Sequence, residues 1–163
     1  PVESTSQFMR GIAVDDSDRI VVIGDVTFST GGDTLAARYL ASGAIEGSFG
    51  SGGTTVIHMG NRSYGYAGVA IAADGRLVFS AQNLPNWPTS NLGQTVTLRL
   101  DAAGALDTSF GFGGITAPIG VGASNIPAGV ALAPDGRIVV CGRFTSDVVG
   151  GAMGWFLARY DDK

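Results

Sequence analysis

Three segments of the chain are near-copies of one another: "GIAVDDSDRIVVIG" from Gly11, "GVAIAADGRLVFSA" from Gly68 and "GVALAPDGRIVVCG" from Gly129, set 57 and 61 residues apart. A second block follows each in register: "LAARYLASGAIEGSFGSGG" from Leu35, "VTLRLDAAGALDTSFGFGG" from Val96 and "FLARYDDK" from Phe156. A repeat of this period constrains the fold more than any single motif. Each unit must be one supersecondary structure that buries its apolar face against the next. Arg38, Arg99 and Arg159 mark the same place in the three units.

The units read as strands. In "VALAPDGRIVV" two apolar runs flank Pro134-Asp135-Gly136, and Asp-Gly supplies the positive φ angles of a tight hairpin. A third run, such as "GWFLARYD", mixes aromatic and aliphatic residues, and a fourth, "TTVIHM" at 54–59 or "ITAPIG" at 115–120, follows the glycine-rich segment. Helices longer than a turn are not expected, since no window keeps helical spacing free of Gly or Pro. Ile20–Ile23 and Ile138–Cys141 are apolar at consecutive positions, so both faces of that strand must be covered. Four antiparallel strands per unit, buried on both faces, predict an all-β chain of β-propeller-type blades. A stacked β-solenoid is the competing reading, but its repeats are shorter and lack the Asp-Gly hairpin.

The motifs "DGRLVF" and "DGRIVV", then "LARY" or "TLRL", then "GALDTSFGFGG", resemble the delta-60 repeats of bacterial, often surface-associated, β-propeller-like proteins. The resemblance covers nearly all of the chain and implies the fold and a surface or secreted setting, with no general activity. The first unit departs from the pattern, with "DDSDR" for "PDGR" and "IEGSFG" for "LDTSFG", so its hairpin is expected to be looser or differently capped. The reading is one repeat domain, 1–163, with blades at approximately 1–60, 61–121 and 122–163, the last incomplete. "PVESTSQFMR" aligns with residues 58–67, as the tail of a preceding fourth strand. Three blades do not close a ring, so homo-oligomerisation or the remainder of a larger propeller is expected to complete it.

Composition narrows the partners. Charged residues make up 15% of the chain, the net charge is −4, and the ten Lys and Arg are scattered, which argues against nucleic acid and against anionic membrane. The single cysteine excludes an internal disulfide framework, and no apolar run is long enough to insert in a membrane as a helix. The N-terminus has neither an initiator Met nor a signal-peptide layout, predicting a mature or excised piece whose targeting signal lies elsewhere.

Several features are candidate sites. "SFGFGGITAPIG" could be a phosphate loop, but a strand rather than a helix follows and no lysine ends it. The reading preferred is structural, with Phe49 and Phe110 plugging the gaps between blades. Each buried Arg needs a carboxylate, and Glu46 and Asp107 follow Arg38 and Arg99 by eight positions. His58, the single histidine, is read as solvated or satisfied rather than as a general base, and Cys141, matching Ile23 and Ser80, as a packing position. Asp15, Asp16 and Asp18 cluster as a weak candidate for Ca²⁺ without EF-hand spacing; no other cofactor is implied.

The loops between the second and third strands diverge, and divergent loops on a repeated scaffold are where recognition sits. The middle one carries Trp87 between prolines, with Asn83, Asn86, Asn91 and Gln94, while Tyr64 and Tyr66 follow nearby in "GNRSYGYA". An exposed Trp among amides suits a sugar ring or a protein surface. The expected function is a non-catalytic binding or adhesion module of a bacterial surface protein. A purely structural self-assembling unit is the alternative, and a propeller hydrolase or lyase comes third.

Overall fold

The computed structural model describes residues 6–28, 31–58, 62–84, 92–120, 122–146 and 151–161. Among them every regular element is a strand: β1 (Ser6–Val14), β2 (Ile20–Phe28), β3 (Gly31–Tyr39), β4 (Thr54–Ile57), β5 (Arg62–Ile71), β6 (Leu77–Leu84), β7 (Gln94–Leu100), β8 (Ser124–Leu132), β9 (Ile138–Thr145) and β10 (Met153–Tyr160). They form three antiparallel sheets, ordered β1-β2-β3-β4, β5-β6-β7 and β8-β9-β10. The first strands lie side by side, β5 against both β1 and β8, so the sheets fan outward from them. That is the layout of propeller blades.

Two cores hold the fan together. Between the first and second sheets Val21, Ile23, Phe49, Leu77, Phe79 and Leu98 are fully buried with their neighbours. Between the second and third, Val78, Phe110, Ile138, Val140 and Phe156 do the same work. Strand alternation explains the division: Leu77 and Phe79 face the first sheet while Val78, one residue on, faces the third. In β6 both faces are thus covered, whereas in β2 and β9, the strands expected to be covered on both sides, Val22 and Val139 are half-buried and Cys141 is exposed, because no sheet lies beyond them among the described residues.

The structure differs from the sequence reading at three points. Ser6–Arg10 belong to β1, paired with β2 from Ser6↔Thr27 to Met9↔Gly24, and are not the tail of a fourth strand. A bulge between Met9 and Gly11 absorbs Arg10, and Gly24 permits the close approach, since a Cβ there would lie 2.1 Å from the Phe8 carbonyl. Second, 115–120 does not form a regular fourth strand. Thr116 N–H and Ile119 N–H still reach the Thr97 and Thr95 carbonyls, each at 2.9 Å, but Pro118 between them has no N–H and breaks the ladder. Third, in the Asp-Gly hairpins only the glycine takes positive φ, at 84° for Gly75 and 85° for Gly136. Each hairpin is a four-residue turn, closed by Gly75 N–H to the Ala72 carbonyl or Gly136 N–H to that of Ala133, with its left-handed residue last. In the first unit Asp18 occupies that position with φ 58°.

Candidate functional site

The glycine-rich connectors are folded onto the arginines. Arg38 N–H donates to the Gly53 carbonyl and the Arg38 carbonyl accepts from Glu46 N–H; Arg99 makes the matching pair with Gly114 and Asp107. Gly50, Gly52 and Gly53, and their counterparts Gly111, Gly113 and Gly114, all take positive φ, which turns the chain sharply enough to bring its end back. The amides of Gly50, Ser51 and Gly53 donate to protein carbonyls, so they offer no cradle for a phosphate. Phe49 and Phe110 fill the space beneath, and each arginine's guanidinium lies 4.6 Å from its ring centroid.

The side chains complete the module. Arg38 Nε and Nη2 donate to the two oxygens of Glu46 at 2.6 and 3.0 Å, and Nη1 reaches across to the Ala102 carbonyl of the second sheet at 2.7 Å. Arg99 Nε donates to Asp107 at 2.8 Å and Nη2 to the Ser109 hydroxyl at 3.1 Å. The Arg38 hydrogen bond holds Glu46 below the ordinary carboxylate range. Asp107 is lowered too, first by the Ser109 hydroxyl and then, against partial burial, by the Ser109 amide and the Arg99 charge. Ser48 and Ser109, two residues beyond each carboxylate, were missed by sequence reasoning, although their recurrence in "EGSF" and "DTSF" could have disclosed them. Arg159, by contrast, is exposed on the outer face of the third sheet.

The acidic turn is occupied by its own chain. Asp15 Oδ1 accepts from the amides of Ser17 and Arg19, and Oδ2 from Arg19 Nε at 2.7 Å. Among the described residues Asp15, Asp16 and Asp18 do not gather into a metal-holding cluster. His58 is largely exposed, with Nδ1 2.7 Å from Asp33 Oδ2, and Cys141 is also exposed.

The divergent loops all leave the same end of the sheets, after β2, β6 and β9, opposite the hairpin turns. Trp87, Asn86 and Asn91 lie outside the described residues. Tyr64 stands opposite Gln82 in the β5–β6 register, one position from the Ser63↔Asn83 pair, and Tyr66 falls within the register shift between Gly65 and Val69. Buried polar groups collect at this end. Gln82 Nε2 donates to the Ser124 hydroxyl and the Asn125 carbonyl, Thr95 N–H to the Asn125 side chain, and Asn125 Nδ2 to the Ile119 carbonyl. Asn83 Oδ1 is buried and finds no hydrogen-bond partner among the described residues.

Repeated sheets fanned from their first strands and cored face to face define a β-propeller-type repeat protein whose terminal sheets are open. A family model described as a domain of unknown function (DUF5122) beta-propeller matches residues 133–161, the third hairpin turn with β9 and β10. No curated protein matches the chain.

Proposed function

We propose that the chain is a non-catalytic binding module of a bacterial surface or secreted protein of the delta-60 repeat kind, holding a glycan or a protein on the divergent loops. The observation that supports this reading is Asn83, at the base of the loop that carries Trp87. Its buried Oδ1 lacks a partner among the described residues, and an acceptor of that sort is costly unless something donates to it. A hydroxyl-rich ligand bound at this end of the sheets would supply such a donor on parting the groups that close the atom from solvent. The reading assigns no catalytic residue: Glu46, Asp107 and Asp15 are held in ion pairs that shape the scaffold.

Glycan-array and protein-capture screens of the chain test it. A hit should weaken roughly tenfold or more in Trp87→Ala, as for a central aromatic contact, with the melting temperature kept. A hit indifferent to Trp87→Ala would place recognition elsewhere and sink the reading. The second reading, a purely structural assembly unit, is favoured by the exposed apolar faces of the terminal sheets, where Ile12 is 68% and Trp155 80% exposed.

A further inference from the structure

Every sheet of a fan has two unlike faces, one for the sheet before it and one for the sheet after it. In the second sheet Phe79 and Leu98 face backward into one core, while Val78 and Arg99 face forward. The repeat register extends these assignments to the ends. Cys141, Leu157 and Arg159 on the third sheet stand where Ser80, Thr97 and Arg99 stand on the second, so its exposed face is a forward face. Ile12, Leu35 and Tyr39 on the first sheet stand where Val69, Val96 and Leu100 stand, so its outer face is a backward face. The molecule thus carries both halves of the contact that it makes twice internally.

The details match across the two halves. Trp155 takes the place of Thr95, whose amide donates to Asn125; the residue equivalent to Asn125 on the first sheet is Gln7. Gln7 lines a groove of about 830 Å³ with Met9, Leu35, Tyr39 and Val56, room for an indole where the internal contact holds only a threonine. Arg38 reaches the carbonyl of Ala102, and Arg159 stands in the same register, with Ala41 as the equivalent carbonyl. We propose that the third sheet of one copy docks on the first sheet of a second copy. The contact is heterologous, so it closes or polymerises.

Light scattering should give the purified chain a mass of two or more times its 16.6 kDa. Trp155→Arg and Ile12→Arg alter exposed side chains, so circular dichroism should show each folded, and each should have the single-chain mass. Mixing the two variants should restore a dimeric species, because one intact third face then meets one intact first face. Alkylation of Cys141 should be roughly tenfold slower at docked third faces than in Trp155→Arg, by exclusion from the bound state. A single-chain mass for the unaltered protein overturns the proposal in favour of blades on another polypeptide. An assembly that survives Ile12→Arg overturns it in favour of like faces pairing.

Discussion

Arg99 is 2% exposed, and among the described residues Asp107, Ser109 and its own connector offset the cost of burying its charge. Arg99→Leu should therefore lower stability by about 3 kcal/mol or more, leaving Asp107 without its main cation; an unchanged melting temperature would reject a structural role. Glu46 carries a pH signature. Its value in the folded chain is below the ordinary 4.5, so the stabilisation is complete above the unfolded value and is lost as pH falls through the folded one. Glu46→Gln should be less stable than the parent at about pH 7, and the gap should narrow as pH falls below the unfolded value of about 4.5, followed by urea unfolding across that range. The eight-residue spacing makes the Arg-carboxylate pairing readable from sequence. The reach of Arg38 to Ala102 is not, since it crosses 64 positions and depends on how two sheets pack.

The hairpin shows what a substitution inside a repeated element means. Asp18 holds a left-handed φ that Gly75 and Gly136 hold without a Cβ, and Asp15 steadies the turn by accepting two amides. Asp18→Gly should raise stability by up to about 1 kcal/mol, whereas Gly136→Asp should lower it by about that amount; denaturant midpoints would register both, and a loss in Asp18→Gly would refute the strain argument. The first three strands of each unit were legible from apolar runs and turn punctuation, whereas 115–120, read as a fourth, forms none. Strand extent was not legible: β1 begins at Ser6 because its pairing continues past a bulge that no period-two pattern announces. The site was less legible still. Trp87, Asn86 and Asn91 stand out by residue type alone, while the buried network of Gln82, Thr95, Ser124 and Asn125 arises from two sheets meeting.

At the scale of the molecule, the fan was foreseeable because consecutive apolar residues demanded cover on both faces, and the repeat offered neighbours to give it. Sheet completeness was not, because a single proline decides it. Pro118 sits on the line where a fourth strand would run, and its lack of an N–H leaves the second sheet with three strands. β4, at the same place on the first sheet, is only four residues long. The outward rims of the first two sheets therefore present no long row of free amides and carbonyls, whereas the eight residues of β10 form an open edge on the third. Edge-to-edge β-pairing is thus blunted on two sheets and confined to β10, while on the broad faces side chains rather than backbone choose the partner.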